Sequence, residues 1–263
     1  MIKEAIILAG GLGTRLRSVV SDLPKCMAPV NGIPFINFVI TYLKNEGVDR
    51  IILSLGYKSE IVIGHVEKAF TGTGLEIVYV IEESPLGTGG AIKLACSKVK
   101  GTNVLILNGD TLFNIDLEQF SEFHRENEAD FTVALKEMRQ FSRYGTVEID
   151  NSSAITAFKE KTYSEEGLIN GGVYALNVKS FTKESFPEVF SFEKDFLEKY
   201  VGKKRFFGVP CEYYFIDIGV PEDYQRFIED YNFILSKNKH QESSIEERII
   251  GFFLESLAAL IKN

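Results

Sequence analysis

A glycine-rich stretch near the start of the chain contains the residues best suited to bind a polyanion. Gly10, Gly11 and Gly13 follow an apolar run, Arg15 closes the loop, and Lys25 comes ten residues later. Because glycine has no Cβ, its backbone N–H approaches phosphate oxygens closely, and the arginine and lysine supply compensating charge. The stretch therefore predicts a cradle for a triphosphate.

Two common nucleotide-binding loops fit this stretch poorly. The dinucleotide-binding fingerprint G-x-G-x-x-G requires a last glycine that residues 10–15 lack. The P-loop ends in G-K-[ST], which is missing as well. Hydride transfer and P-loop hydrolysis are therefore disfavoured.

Two further predicted strand ends carry polar residues. The third strand leads into Glu82 and a glycine-rich turn over 82–90, and the fourth ends at residues 108–110. Open α/β sheets bind ligands beyond the carboxyl ends of their strands, so these loops are expected to converge at one edge. Asp110 and a later strand-end residue, Asp217, are interpreted as Mg²⁺ ligands, because Mg²⁺ prefers oxygen donors together with substrate phosphates. A turn or helix cap is the alternative interpretation of Asp110.

Alternating strand and helix patterns position these loops. Apolar runs without polar alternation predict buried parallel strands at 4–9, 50–55, 75–81 and 103–107, with helices between them. The second half has strands with more alternation at about 131–137, 145–149 and 154–159, a further strand over 170–176 and several helices, the last beginning at about residue 221. The pattern predicts an α/β fold with a doubly wound, mixed but mostly parallel sheet.

The end of the chain has a different pattern. A polar stretch at 236–244 precedes apolar residues at helical spacing. We therefore expect one domain over 1–235, followed by a linker and an amphipathic C-terminal helix over 236–263. The apolar stripe of that helix is expected to dock on the parent domain or on a second subunit, and the second case would make the protein a homodimer.

Composition disfavours several classes of protein. The chain has 263 residues and a net charge of −8, which opposes binding to nucleic acid. Its three cysteines are widely spaced and suggest neither a disulfide framework nor a metal knuckle. The apolar runs are too short for a signal peptide or a membrane span. We therefore expect a cytoplasmic protein with no nucleic-acid or membrane partner.

Taken together, these motifs resemble those of the sugar-1-phosphate nucleotidylyltransferases. The family pattern L-A-G-G-x-G-x-R-L…P-K-x-M-x-P-V is matched by residues 8–16 and 24–30, although Cys26 stands where the family usually has proline. The resemblance covers about residues 3–232, and it continues in order through 85–91, 108–110, 143–145, 158–161, 170–174 and 217–219. It implies a GT-A-like α/β fold and transfer of a nucleotidyl group from a nucleoside triphosphate to a sugar 1-phosphate.

The resemblance also implies a role for each matching residue. Arg15 would hold the leaving β- and γ-phosphates, Lys25 would contact the α-phosphate and the incoming sugar phosphate, and Asp110 and Asp217 would hold Mg²⁺. The implied nucleotide-binding set is Leu8, Ala9, Gly10, Gly11, Gly13, Thr14, Arg15, Lys25, Glu82, Pro85, Gly87, Thr88, Asn108, Gly109 and Asp110. The implied sugar-phosphate-binding set is Tyr144, Gly145, Glu160, Lys161, Asn170, Gly171 and Gly172.

The nucleotide is suggested by Glu82, which aligns with the family position that reads the edge of the base. A carboxylate accepts both N1–H and N2–H of guanine, whereas the single N3–H of uracil or thymine suits an amide better. Glu82 therefore favours GTP. A solvated glutamate at a strand end is the alternative interpretation.

The sugar is suggested by residues 17–35, which are most similar to those of the D-glycero-α-D-manno-heptose 1-phosphate guanylyltransferases. That similarity implies heptose 1-phosphate as the acceptor and GDP-heptose as the product. Mannose 1-phosphate or another sugar 1-phosphate is the nearest alternative. A glycosyltransferase of the same fold and a non-catalytic regulator that binds nucleotide sugars are more distant ones.

Overall fold

The computed structural model describes residues 1–11, 16, 20 and 22–237. The predicted phosphate contacts Gly13, Thr14 and Arg15 lie outside the described residues. The predicted linker and C-terminal helix over 236–263 also lie outside the described residues, except for residues 236 and 237.

The described residues form strands and helices in the following order. The strands are β1 (Glu4–Ala9), β2 (Pro29–Val30), β3 (Ile33–Pro34), β4 (Arg50–Leu55), β5 (Glu76–Ile81), β6 (Asn103–Asn108), β7 (Thr111–Phe113), β8 (Phe131–Phe141), β9 (Val147–Ile149), β10 (Ile155–Phe158), β11 (Ser164–Asn177), β12 (Phe206–Pro210) and β13 (Phe215–Asp217). The helices are α1 (Phe35–Asn45), α2 (Ser59–Phe70), α3 (Gly87–Cys96), α4 (Leu117–Glu126), α5 (Val178–Thr182) and α6 (Pro221–Lys237), with a 3₁₀ turn at Lys25–Met27 and a π-helix at Phe192–Glu198.

A seven-stranded sheet in the order β12-β8-β11-β6-β1-β4-β5 forms the centre of the fold. Strand β1 pairs in parallel with β4 and β6, which places Ile6 beside Ile52 and Ile106. Only β11 runs against its neighbours in this sheet, since it is antiparallel to both β6 and β8. The predicted mixed, mostly parallel sheet is therefore confirmed.

Helices cover both faces of this sheet, which explains the apolar strands without alternation. Ala5 and Ile7 of β1 contribute to a core shared with α1, α2, α4 and α6, whereas Ile6 faces a second core shared with α3, α5 and the π-helix. Because successive side chains of a strand point to opposite faces, β1 is apolar on both faces from Ala5 onward, and only its first residue, Glu4, is charged.

Strands β8 and β11 are longer than the pattern predicts. The expected strands covered 131–137 and 170–176, but β8 reaches Phe141 and β11 begins at Ser164. The extra residues pair with each other, with Ser164 opposite Phe141. These residues are mostly polar and give only a weak strand signal alone, because their pairing is a tertiary contact.

Helix α6 is anchored by aromatic packing and begins just after β13. The ring of Phe227 packs edge-on against Phe35 and Phe38 of α1, with centroids 5.2 and 5.3 Å apart. Residues 236 and 237, predicted as the start of a linker, belong to this helix. Within the described residues, none of the helices is both long enough and apolar enough to cross a membrane.

Candidate active site

The carboxyl ends of β1, β4, β5 and β6 meet at one edge of the sheet. The backbone N–H of Gly109 donates to the carbonyl oxygen of Leu8 at 2.8 Å. A Cβ placed on Gly10 would lie 2.9 Å from Oε1 of Glu82. This edge therefore brings together part of the predicted nucleotide-binding set. Its members here are Leu8, Ala9, Gly10, Gly11, Glu82, Asn108 and Gly109.

Glu82 is held in place at this edge. Its backbone N–H donates to the carbonyl oxygen of Leu55 at 2.9 Å, and its Oε2 accepts from the N–H of Leu86 at 3.0 Å. The carboxylate is half-buried beside Gly10. Glu82 is therefore fixed at this edge and is not a freely solvated side chain, and its role in reading the base stays a prediction.

The turn after Glu82 packs against the segment that precedes the π-helix. Gly87 has a φ of +72°, and a Cβ there would lie 2.5 Å from the carbonyl oxygen of Phe190. The hydroxyl of Thr88 donates to Glu193 at 2.7 Å and accepts from the N–H of Phe192 at 2.9 Å. Gly87 and Thr88 therefore brace the wall of the site, and their predicted contact with the nucleotide stays a prediction. Pro85 lies exposed at the start of the same turn.

Lys25 joins the two predicted metal ligands. Its ammonium pairs with Asp110 and lies 3.8 Å from Oδ1 of Asp217. The pairing of β7 with β13 sets Asp217 opposite Thr111, the residue after Asp110. The side chains of Lys25, Asp110 and Asp217 are 16%, 31% and 27% exposed, so all three are open to a ligand.

The electrostatics of this cluster favour a further positive charge. Burial, and then the neighbouring Asp110 carboxylate, raise the pKa of Asp217. Lys25, the N–H of Gly219 and Arg143 act in the opposite direction, and the N–H of Gly219 bonds Oδ1 at 2.8 Å. The two carboxylates repel each other, so a bound cation would add to the compensation that Lys25 and Arg143 provide.

The other oxygen of Asp217 contacts Tyr144, a member of the predicted sugar-phosphate-binding set. The hydroxyl of Tyr144 donates to Oδ2 of Asp217 at 3.3 Å and accepts from Nη2 of Arg143 at 3.2 Å. Burial and the charge of Asp217 raise the pKa of Tyr144. The phenol therefore stays protonated and remains a hydrogen-bond donor.

A cleft of about 450 Å³ opens beside Asp217. Asn108 of the predicted nucleotide-binding set and Asp217, a predicted metal ligand, line it. The lining also includes every member of the predicted sugar-phosphate-binding set, namely Tyr144, Gly145, Glu160, Lys161, Asn170, Gly171 and Gly172. The fold thus brings together residues from five separate stretches of sequence, and their individual roles stay predictions.

The cleft also has a wall that the sequence did not reveal. Ser191, Glu193, Lys194 and Glu198 line it from the π-helix and the residue before it. Glu193 is bonded to Thr88 and Ser191, which fixes the helix against the turn after Glu82. These residues follow no recognisable motif, and only the packing of the π-helix beside the sheet places them here.

Cys26, the departure from the family pattern, is buried beside this site. Burial is the main cause that raises the pKa of its thiol to about 12, and the charge of Asp110 adds to the shift. The thiol therefore stays protonated and chemically inert next to Lys25.

Comparison with known proteins gives the class of enzyme to which this fold and this charged cleft belong. The chain belongs to the Nucleotidyl transferase family, whose model matches residues 4–232.

Three relatives define the neighbourhood within this family. The chain is 53% identical to D-glycero-alpha-D-manno-heptose 1-phosphate guanylyltransferase of Aneurinibacillus thermoaerophilus, over 85% of this chain and 96% of that one. It is 45% identical to the enzyme of the same name from Campylobacter jejuni, over 86% and 98%. The crystal structure of HddC from Yersinia pseudotuberculosis complexed with GMP-PN superposes with a TM-score of 0.79 at 39% identity, covering 88% of this chain and 100% of that one.

Replacement of Gly87 by alanine is expected to destabilise the protein more than a positive φ alone explains. At Gly72, φ is +74° and a Cβ would meet no atom within 4 Å, so Gly72→Ala isolates the backbone cost of about 1–2 kcal/mol. Gly87→Ala adds the clash with Phe190 and should exceed that cost in urea unfolding. The prediction is contradicted if both variants lose the same stability. If Gly87→Ala alone then also raises the KM for the nucleotide, Gly87 acts in nucleotide binding instead.

Proposed function

We propose that this protein transfers a guanylyl group from GTP to D-glycero-α-D-manno-heptose 1-phosphate, forming GDP-D-glycero-α-D-manno-heptose and pyrophosphate. The observation that carries the proposal is the single cleft, which joins Asn108 and Asp217 at the nucleotide edge to the whole predicted sugar-phosphate set. The names and the identities of the two guanylyltransferase relatives support the choice of nucleotide and sugar.

The reaction requires positioning and charge compensation from the protein. An oxygen of the sugar phosphate attacks the α-phosphorus of GTP, and the bond from that phosphorus to the bridging oxygen of the β-phosphate breaks. The electron pair leaves with pyrophosphate, so no protein nucleophile is needed. Lys25, held at the junction of the two halves of the site, stabilises the charge that builds on the α-phosphate.

A divalent cation fits the carboxylate pair, and we propose Mg²⁺. Asp110 and Asp217 offer hard oxygen donors, and Asp110 contributes to the raised pKa of Asp217. Among the residues that the structure describes, no group of three or more histidine, cysteine and acidic side chains could hold a metal. Two protein carboxylates completed by phosphate oxygens and water are typical of Mg²⁺, which would neutralise charge on the triphosphate.

Two lysines of the cleft are suited to bind the phosphate of the sugar. Lys159 is paired with Glu148, whereas Lys161 and Lys194 form no ion pair within the described part of the chain. We therefore assign the sugar phosphate to Lys161, as predicted from the sequence, and to Lys194, which the sequence did not suggest. Glu160 and Asn170 are left to bind hydroxyls of the sugar.

The cellular setting belongs to the same proposal. Cys26, Cys96 and Cys211 are all unpaired, as is usual for a protein in a reducing cytoplasm. GTP and the sugar 1-phosphate are the proposed partners, and the homodimer and the 236–263 unit stay predictions.

A panel of substrates tests the proposed activity. The purified protein is incubated with each of GTP, ATP, UTP and dTTP and with heptose, mannose or glucose 1-phosphate, and pyrophosphate release is measured. We expect the highest kcat/KM with GTP and the heptose. A preference for mannose 1-phosphate would change the sugar, a preference for UTP or dTTP would refute the guanine assignment, and nucleotide binding without turnover would favour the regulator.

Substitution of Asp110 tests the charged cluster. Asp110→Asn removes a carboxylate that contacts Lys25, so we expect kcat/KM to fall by about 100-fold or more with little loss of stability. Asp49→Asn is the matched control, because Asp49 is exposed before β4, away from the carboxyl edge. Similar activity of the two variants would refute the assignment.

Substitution of Glu82 tests how the base is read. Glu82→Gln keeps the size of the side chain but replaces one acceptor by a donor, so the preference for GTP over dTTP should fall by about 10-fold or more, measured as a ratio of kcat/KM. The adjacent exposed Glu83 provides the control Glu83→Gln. An unchanged ratio in Glu82→Gln would show that another group selects guanine.

A further inference from the structure

The loop between β8 and β9 is tied to the first turn of α6. Nη2 of Arg143 pairs with Oδ2 of Asp223, whose side chain is only 14% exposed. The same nitrogen donates to the hydroxyl of Tyr144 at 3.2 Å, and the guanidinium lies 5.4 Å from the centre of the Tyr144 ring. Arg143 therefore connects the helix to the tyrosine.

The tyrosine in turn contacts Asp217. Its hydroxyl lies 3.3 Å from Oδ2 of that carboxylate, and its ring packs edge-on against Phe215 with centroids 6.2 Å apart. A phenol has one hydrogen to donate, and the contact from Arg143 engages the oxygen as an acceptor. The hydrogen is thus directed at Asp217.

Both oxygens of Asp217 are consequently oriented by groups of the protein itself. Oδ1 accepts from the N–H of Gly219 at 2.8 Å, and Oδ2 accepts from Tyr144. With one donor on each oxygen, the plane of the carboxylate is defined, while each oxygen keeps a lone pair for another ligand.

We propose that Tyr144 is a positioning residue for Asp217, and that the Arg143–Asp223 ion pair holds Tyr144 in its place. The contact chain Asp223–Arg143–Tyr144–Asp217 then links α6 to a carboxylate of the cleft. This inference rests on the proposed function, since it takes Asp217 to be a ligand of the divalent cation. Groups that orient metal ligands commonly affect metal affinity by 10- to 100-fold.

The contact chain also separates two roles that Tyr144 could have. The sequence places Tyr144 with the sugar-binding residues, and Gly145 beside it lines the cleft. A tyrosine that contacts the sugar would affect the KM for the sugar phosphate. A tyrosine that positions Asp217 affects the contribution of the metal to nucleotide binding, even without the sugar.

The test measures that contribution directly. The dissociation constant of GTP is determined by titration calorimetry with Mn²⁺ and again with EDTA, in the absence of sugar phosphate, so that no turnover occurs. The ratio of the two constants reports how much the metal strengthens binding. We expect Tyr144→Phe to reduce this ratio by about 10-fold and to leave the EDTA value unchanged.

Matched variants isolate the contact chain. Asp223→Asn removes the anchor of Arg143 and should lower the ratio in the same direction, and the double variant with Tyr144→Phe should be no worse than Tyr144→Phe alone. Two control variants should behave like the wild type. Arg226→Gln removes the other ion-pair partner of Asp223, which lies 3.5 Å away, and Tyr163→Phe changes an exposed tyrosine. Urea unfolding checks that each variant is folded. If Tyr144→Phe does not fold, the ratio measured for Asp223→Asn decides the test.

The outcomes distinguish this inference from the proposed function. If Mn²⁺ does not strengthen GTP binding by the wild type, the metal part of the proposed function fails and the inference fails with it. If Asp217→Asn loses the metal effect but Tyr144→Phe keeps it, only the inference is overturned. A variant Tyr144→Phe with an unchanged ratio and a raised KM for the sugar phosphate would also overturn it.

Discussion

The site depends on keeping two carboxylates close together. Asp110 directly precedes β7 and Asp217 ends β13, two strands that pair with each other, and the repulsion between the two like charges opposes that pairing. Lys25 compensates by contacting both, and the N–H of Gly219 and the hydroxyl of Tyr144 bond the two oxygens of Asp217. These contacts join the 3₁₀ turn, β7, β13 and the β8–β9 loop, so the same charges that would serve catalysis also hold the cleft in shape.

A second constraint is the packing of the turn after Glu82 on the π-helix region. Gly87 admits the carbonyl of Phe190, and Thr88 bonds both Glu193 and the backbone of Phe192. This contact places Lys194 and Glu198 in the cleft, opposite residues of β11. The glycine-rich turn that is predicted to bind the nucleotide therefore also shapes a wall of the cleft. The two halves of the site are built as one unit, with Glu82 fixed by the same turn through Leu86.

Much of the fold could be predicted from the chain because its strands are buried on both faces. Ile6, Ile52 and Ile106 belong to apolar runs that have no other stable place in a folded protein, and the observed bounds of β1 and β4 equal the predicted ones. The outer parts of β8 and β11 escaped prediction, since residues such as Ser164 are polar and become strand only through pairing. Lys194 escaped for a related reason, because no local pattern marks it as part of the cleft.

Local order and spacing were enough to predict the family and the sheet, because the family motif and the apolar runs are patterns of residues that are near each other in the chain. Tertiary structure alone decided which of those residues meet. It paired β7 with β13, so that Asp110 and Asp217 share Lys25. It also directed Tyr144 toward Asp217 and brought α6 into contact with Arg143. These contacts join residues far apart in the chain, and their geometry depends on how the layers pack around the sheet, which no local pattern specifies.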